Sequence, residues 1–196
     1  CGHRGTFYTL RQLMFPHEKD IGLEEESNGK AATNPYARSH VNQRRQYGIV
    51  VNGDIGCYTL GALQPLYAMD TCGCMGASIP YALGMEKAGV KNKVVAVIGD
   101  STFYHSGITG LVDVVATGGS TTTIILDNGT TAMTGGNVNP GTGLMVDGTS
   151  ARKVDLEMLC KGLGIEDVQV INAYDNDRIE SEISRAVQSD EPSVLI

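Results

Sequence analysis

Apolar residues follow two different spacings along this chain, and the alternation between the two predicts an ordered series of helices and strands. Helical spacing of Phe7, Leu10 and Met14 predicts a short helix over 6–14. Short apolar runs predict strands over 48–51, 94–98, 122–126, 168–172 and 193–196. Further helices are predicted over 76–89, 107–117, 153–162 and 177–188. Strands that alternate with helices of this length indicate an α/β fold, with a doubly wound, mostly parallel sheet covered by helices on both faces.

Two of the predicted strands, 94–98 and 122–126, show no alternation of apolar and polar residues, and apart from Thr122 and Thr123 they are apolar, as is typical of central strands buried on both faces. Gly99-Asp100-Ser101-Thr102 follows the first strand, and Asp127-Asn128 with a loop rich in Gly and Thr follows the second. The carboxyl ends of neighbouring parallel strands form the edge at which open α/β sheets bind charged ligands. We therefore expect these polar groups to lie side by side.

Carboxylate, amide and carbonyl oxygens are hard ligands suited to Mg²⁺, which also binds diphosphate oxygens. The pattern thus predicts a site for a metal ion and a diphosphate. The structural alternative is that Asp100 caps a helix and Asp127-Asn128 forms a turn. The occurrence of both motifs, each after a buried strand, favours the binding site.

A strongly polar segment over 17–46 interrupts the pattern and shows no periodicity. We interpret it as an insertion or mobile loop, with a lid as the less favoured alternative.

Composition narrows the class of protein. A length of 196 residues fits one domain, 1–196, and 25 glycines point to loops that approach a ligand closely. A formal charge of −7 without any basic stripe argues against nucleic-acid binding. Neither a membrane-length apolar stretch nor a signal peptide is evident, so we expect no membrane partner and a cytoplasmic location. The first residue is Cys1 rather than Met, which suggests a piece of a longer polypeptide.

The five cysteines, at positions 1, 57, 72, 74 and 160, include no C-x-x-C pair. Their odd number, without signs of secretion, predicts reduced thiols. Cys1 as half of a truncated motif, together with Cys57 after a glycine-rich turn, leaves open a metal or iron–sulfur cluster. Buried apolar thiols are the alternative.

The segment Gly99-Asp100-Ser101, separated from Asn128 by one predicted helix and one strand, resembles the G-D-G…N signature of thiamine diphosphate enzymes, with Ser101 replacing the third glycine. The run from Met75 to Gly84 resembles the helix start that precedes this signature. More narrowly, the chain resembles the middle part of the large subunit of indolepyruvate:ferredoxin oxidoreductase, a family that normally lacks the 17–46 insertion. The matching segments are 1–8, 53–61, 70–79, 99–103, 105–108 and 127–135.

The resemblance implies the pyrophosphate domain of the thiamine diphosphate-binding fold. It implies that Mg²⁺ is bound by Asp100, the Asn128 side chain and the Thr130 carbonyl, and that Met75 supports the thiazolium ring, with an ordinary core methionine as the alternative. His105 either contacts cofactor or substrate or begins a helix. The implied cofactor-binding residues are Gly56, Cys57, Cys74, Met75, Gly99, Asp100, Ser101, Thr102, Asn128, Thr130, Ala132 and Met133.

The resemblance also implies an activity, namely oxidative decarboxylation of a 2-oxo acid to an acyl-CoA, with CoA as co-substrate and ferredoxin as electron acceptor. The activating Glu is expected on a pyrimidine-binding domain or subunit, so no catalytic residue is assigned to this chain. Iron–sulfur clusters are expected on missing sequence or on a partner, and a smaller oxidoreductase subunit is expected in a dimer or hetero-oligomer. The chain alone is then expected to be nearly inactive.

Two other functions remain open. One is a thiamine-dependent, non-oxidative 2-oxo acid decarboxylase or synthase subunit, and the other is a nucleotide-binding or regulatory α/β module without catalysis.

Overall fold

The computed structural model describes residues 3–14 and 48–196, and its centre is a six-stranded sheet in which every pair of neighbouring strands is parallel. The strand order is β2-β1-β3-β4-β6-β5. This confirms the predicted parallel sheet. The strands are β1 (Val50–Gly53), β2 (Thr71–Cys72), β3 (Val94–Gly99), β4 (Thr122–Leu126), β5 (Asp167–Gln169) and β6 (Ser193–Leu195).

Helices cover both faces of the sheet, as the pattern predicted. One long helix, α3, is built from three consecutive pieces. These are the α-helical turn Asp100–Thr102, the π-helical segment Phe103–Gly107 and the α-helix Ile108–Ala116. A short 3₁₀ helix, Cys57–Ala62, follows β1. The other helices are α1 (Arg4–Met14), α2 (Ser78–Lys87), α4 (Leu156–Gly162) and α5 (Asn176–Ala186).

Two buried apolar clusters hold these layers together, one on each face of the sheet. Side chains of α1 and α5, such as Leu10 and Ile183, pack with Val95 and Val97 of β3. Side chains of α2, α3 and α4 pack on the other face, against Ala96 and Ile98 of the same strand. Successive strand residues point to opposite faces, so an all-apolar strand can serve both clusters.

The structure corrects several predicted boundaries. The strand expected at 48–51 lies at Val50–Gly53, because Val50 pairs with Val94 at the start of β3. The strand expected at 168–172 is the edge strand Asp167–Gln169, which pairs only with β6. The helix expected over 107–117 already begins at Asp100. Its first seven residues were not predicted, because the π-helical segment breaks the 3.6-residue spacing of apolar residues.

The remaining predicted elements are present with small shifts at their ends. β2 and the 3₁₀ helix were missed, since two and six residues are too few to show a periodic pattern. The prediction for 17–46 lies outside the described residues. No helix within 3–14 or 48–196 has the length and apolar character needed to cross a membrane.

The connections define the place where a ligand is expected. From β1 the chain moves outward to β2 on one side, and it then returns to β3 on the other side of β1. The direction of winding therefore reverses between β1 and β3. Ligands of open α/β sheets bind in the crevice at such a reversal, outside the carboxyl ends of the strands.

Candidate functional site

A cavity of about 380 Å³ lies at this carboxyl edge of the sheet. Its walls come from the start of α1, the 3₁₀ helix after β1, the start of α3 and the segment that follows β4. The lining residues are His3, Arg4, Phe7, Ile55, Gly56, Cys57, Tyr58, Leu60, Gly61, Leu66, Met75, Gly99, Asp100, Ser101, Thr102, Leu126, Asn128, Thr130, Thr131, Ala132, Met133 and Thr134.

The structure brings nearly all of the predicted cofactor-binding residues together around this one cavity. The exception is Cys74, which is exposed beside Met75 but does not line the cavity. His105 is exposed inside the π-helical segment of α3, so it does not begin the helix, and it does not line the cavity. That these residues bind a cofactor stays a prediction.

Asp100, the first residue of α3, is a buried carboxylate at the end of β3. Gly99 pairs with Leu126, so Asp127 follows the adjacent strand at the same level. Burial raises the pKa of Asp100, and the charge of Asp127 acts in the same direction, whereas hydrogen bonds from Asn139 and the Ser101 backbone oppose the shift. Within residues 3–14 and 48–196, no Lys, Arg or His forms an ion pair with Asp100. A buried carboxylate that has hydrogen bonds but no cationic partner is costly, so this site fits a bound cation.

The loop after β4 supplies the other two predicted metal ligands. The Asn128 Oδ1 atom accepts a hydrogen bond of 3.0 Å from the Thr130 backbone N–H. The turn considered as an alternative therefore exists. It does not exclude metal binding, because an amide oxygen has two lone pairs and the turn uses one of them. The turn also fixes Thr130, whose hydroxyl donates to the Asn137 carbonyl at 3.1 Å.

Tyr58 is a cavity residue that the sequence analysis missed. Its ring fills the space beside two glycines, because a Cβ atom on Gly56 or Gly99 would lie 2.1 or 2.8 Å from Tyr58 Cε1. Its hydroxyl donates a hydrogen bond to Asp54. Burial raises the pKa of Tyr58, and the hydrogen bond to Asp54 adds to the shift. The sequence around Tyr58 shows no pattern from which its contact with Gly99, 41 residues later in the chain, could be predicted.

Asp54 connects this tyrosine to the start of α2. Its Oδ2 atom accepts hydrogen bonds from the Ser78 backbone N–H at 3.3 Å and from the Ser78 hydroxyl at 3.1 Å. Asp54 is fully buried, and burial raises its pKa although these hydrogen bonds oppose the shift. One carboxylate thus ties together the segments that carry Cys57 and Met75.

The start of α1 forms a further wall that the sequence analysis missed. His3, Arg4 and Phe7 all line the cavity, and His3 Nε2 lies 3.3 Å from the Asp127 carbonyl oxygen. The predicted helix began at residue 6, so its first turn was not considered. Because residues three apart share a helix face, extension of the predicted helix to Arg4 would have placed Arg4 and Phe7 on one face.

The four described cysteines are free thiols. Cys57, Cys72 and Cys74 are exposed, whereas Cys160 is buried in the core, where burial raises its pKa to about 12. Within the described part of the chain, no three His, Cys, Asp or Glu side chains are grouped so that they could hold a metal ion. The prediction for Cys1 lies outside that part.

Comparison of the sequence with known protein families identifies the family of this chain. Residues 54–196 match the family described as thiamine pyrophosphate enzyme, C-terminal TPP binding domain. The chain belongs to this family. Thiamine pyrophosphate is another name for thiamine diphosphate, so the predicted family and fold are confirmed.

Similar proteins are indolepyruvate oxidoreductase subunits IorA. The protein from Archaeoglobus fulgidus is 41% identical over 196 residues, which is 100% of this chain and 27% of the relative. The protein from Methanothermobacter marburgensis is 33% identical over 196 residues and 28% of its own length. The chain therefore spans little more than a quarter of these relatives, and it resembles one part of them.

The solved structure of 2-oxoglutarate:ferredoxin oxidoreductase from Magnetococcus marinus is similar with a TM-score of 0.73 and 15% identity, over 100% of this chain and 60% of that chain. At this identity the similarity establishes the fold.

Proposed function

We propose that this domain binds the diphosphate of thiamine diphosphate through Mg²⁺ at the carboxyl edge of the sheet. The observation that carries the proposal is Asp100, a buried carboxylate without a cationic partner among the described residues, which lines the same cavity as Asn128. In this proposal Asp100, the Asn128 side chain and the Thr130 carbonyl bind the metal ion. Ser101 and Thr102, in the first turn of α3, contact the diphosphate, and Gly56 and Cys57 lie on its other side.

The apolar residues of the cavity are proposed to surround the ring system of the cofactor. Phe7, Leu60 and Met133 form apolar walls, and Met75 lies beside them as the proposed support of the thiazolium ring. When bound, thiamine diphosphate supplies an electron sink for the decarboxylation of 2-oxo acids. Walls that exclude water strengthen the attraction between Asp100 and a cation, because the local dielectric constant is low.

We further propose that the domain is the diphosphate module of an indolepyruvate-type 2-oxo acid:ferredoxin oxidoreductase that forms an acyl-CoA. The IorA relatives support the substrate class. The M. marinus enzyme, solved with 2-oxoglutarate, coenzyme A and succinyl-CoA, supports CoA as co-substrate. The proposed partners are a pyrimidine-binding domain or subunit with the activating Glu, a smaller subunit, ferredoxin and iron–sulfur clusters, assembled in the cytoplasm as a dimer or hetero-oligomer.

Calorimetric titration tests the cofactor proposal on the protein expressed with any flanking sequence that its gene encodes. Thiamine diphosphate should bind in the presence of Mg²⁺, and Asp100→Asn should weaken binding by about 100-fold or more, since removal of one partner of a buried charge pair costs several kcal/mol. Asp113→Asn is a matched control, because Asp113 is an exposed carboxylate on the same helix. Binding of ATP or NAD without binding of thiamine diphosphate would refute the proposal.

Product analysis tests the reaction. Incubation of the complete complex with indolepyruvate, CoA and ferredoxin should yield CO₂, an acyl-CoA and reduced ferredoxin. Release of CO₂ without ferredoxin reduction would instead indicate a non-oxidative decarboxylase.

A further inference from the structure

We propose that Asn139 is a positioning residue that holds the Asp100 carboxylate in the orientation needed for metal binding. This inference rests on the proposed Mg²⁺ site and adds to it a residue outside the motifs described above. Asn139 lies in the segment between β4 and α4, which contains no regular helix or strand. Its Nδ2 atom donates a hydrogen bond of 2.9 Å to Asp100 Oδ2.

The orientation of the Asn139 amide is fixed by its other contacts. Its Oδ1 atom accepts a hydrogen bond of 2.9 Å from the Gly141 backbone N–H, which can only donate. The amide nitrogen must therefore be the atom that faces Asp100. The Asn139 carbonyl accepts from the Thr142 backbone N–H at 3.0 Å and from the Thr142 hydroxyl at 2.7 Å, so its backbone is held as well.

The segment around Asn139 is also fastened to the helix that Asp100 begins. The Tyr104 hydroxyl, on α3, donates to the Val154 carbonyl at 2.7 Å, and the Val154 N–H donates to the Pro140 carbonyl at 2.9 Å. Gly141 packs directly on the same tyrosine, since a Cβ atom there would lie 2.8 Å from the Tyr104 hydroxyl oxygen. α3 thus supports both Asp100 and the residue that contacts it.

Asn139 donates to Oδ2, and the Ser101 backbone N–H also donates to the carboxylate. A carboxylate offers about four lone pairs, so these two donors leave lone pairs for a metal ion. A neutral donor stabilises the buried carboxylate without neutralising it, whereas a Lys or Arg at this position would compete with the metal. Hydrogen-bond partners of metal-binding carboxylates typically contribute 10- to 100-fold to metal affinity.

The test compares two asparagines whose side chains make the same kind of turn. Asn139→Ala removes the contact with Asp100. Asn172→Ala is the matched control, because the Asn172 Oδ1 atom, like that of Asn139, accepts a hydrogen bond from the backbone N–H two residues later, and Asn172 does not line the cavity. The protein with its encoded flanking sequence is titrated with thiamine diphosphate at a series of Mg²⁺ concentrations. Mn²⁺ binding is measured in parallel by electron paramagnetic resonance.

For Asn139→Ala, the Mg²⁺ and Mn²⁺ concentrations at half-saturation should rise by about 10- to 100-fold, and thiamine diphosphate affinity should recover at saturating Mg²⁺. Asn172→Ala should leave both metal concentrations within about twofold of the unsubstituted protein, because the turn that it makes with Tyr174 does not reach Asp100. If Asn139 had only a structural role, Asn139→Ala would lower the thermal stability without changing the metal dependence.

The experiment separates failure of the proposed function from failure of the role assigned to Asn139. If the unsubstituted protein shows no Mg²⁺-dependent binding of thiamine diphosphate, the proposed function is refuted, and this inference with it. If the unsubstituted protein binds and Asn139→Ala has the same metal dependence, only the role of Asn139 is refuted. Asn139→Leu, which keeps the approximate shape but has no donor, replaces the alanine variant if that variant does not fold, and it is read in the same way.

Discussion

At the scale of single residues, Tyr58 changes the explanation of two glycines. The large number of glycines suggested loops that approach a ligand closely, and the resemblance placed Gly56 and Gly99 among the cofactor-binding residues. The structure shows that the Tyr58 ring already occupies the space beside both of them. The absence of their side chains thus lets one aromatic ring join the ends of β1 and β3, and it shapes the cavity from within the protein.

Gly99→Ala should therefore destabilise the domain. The φ angle of Gly99 is −81°, which alanine adopts readily, so the cost comes from the Tyr58 contact and should be about 1–3 kcal/mol in the free energy of unfolding. Urea denaturation measures this change.

Gly84→Ala is the control for the same chemical change, because Gly84 lies within α2 with open space beside it. It should stabilise the domain by about 0.5–1 kcal/mol, through helix propensity. Equal effects of the two substitutions would show that the Tyr58 ring does not constrain position 99.

At the scale of elements, the π-helical segment of α3 sets how closely this helix approaches the start of α2. Ser106, in that segment, lies against Gly76, where a Cβ atom would be 2.2 Å from the Ser106 Oγ atom. Gly76 also has a φ angle of +84°, a conformation that other residues adopt at a cost. Because Gly76 follows Met75, this contact places a predicted cofactor residue at the cavity.

Gly76→Ala should cost about 2–4 kcal/mol in the free energy of unfolding, as the sum of backbone strain and the clash with Ser106. Gly89→Ala separates the two contributions, since Gly89 has a φ angle of +87° and a Cβ atom there would meet no other atom within 4 Å. It should cost only the backbone strain, about 1–2 kcal/mol. Chemical denaturation of both variants measures the difference, and equal losses would exclude a contribution from Ser106.

At the scale of the whole molecule, the parallel sheet collects buried carboxylates at one edge. Asp54 follows β1 and Asp100 follows β3, and burial raises the pKa of each of them. Asp167, in the edge strand β5, behaves differently. Burial would raise its pKa, but the hydrogen bonds from Arg185 at 2.8 and 2.9 Å act in the opposite direction together with the Gln169 side chain and the charge of Arg185, and the pKa is lowered.

These opposite shifts predict opposite dependence of stability on pH. The folded state holds the Asp54 proton more tightly than the unfolded chain, so its contribution to stability declines as pH rises from about 4 through its folded pKa. Asp167 contributes stability above its unfolded pKa, and that contribution is lost as pH falls through its lower folded pKa.

In Asp54→Asn, the free energy of unfolding should therefore decline less as pH rises above about 4. In Asp167→Asn, the free energy of unfolding should decline less as pH falls below about 4. Urea denaturation in EDTA between about pH 3 and 8 measures both slopes without a metal at Asp100. An unchanged profile for Asp54→Asn would show that burial does not shift this carboxylate.

The amino-acid pattern alone was sufficient to predict the fold class and to place Asp100 and Asn128 at one edge of the sheet. Runs without apolar–polar alternation identified β3 and β4 as central strands, because strands covered on both faces are rich in apolar residues along their whole length; β4 is apolar apart from Thr122 and Thr123. Asp100 directly follows β3 and Asn128 is the second residue after β4, and both line one cavity because parallel neighbours end at the same edge.

Which residues surround and orient these two depends on tertiary packing. Tyr58, Asn139 and the first turn of α1 reach the site through contacts between segments far apart in the chain, and such contacts leave no local periodicity. The start of α3 at Asp100 was hidden for a related reason, since a π-helical segment interrupts the spacing by which a helix is recognised. The local sequence pattern thus determines at which edge of the sheet Asp100 and Asn128 lie, and tertiary packing determines which residues contact and orient them.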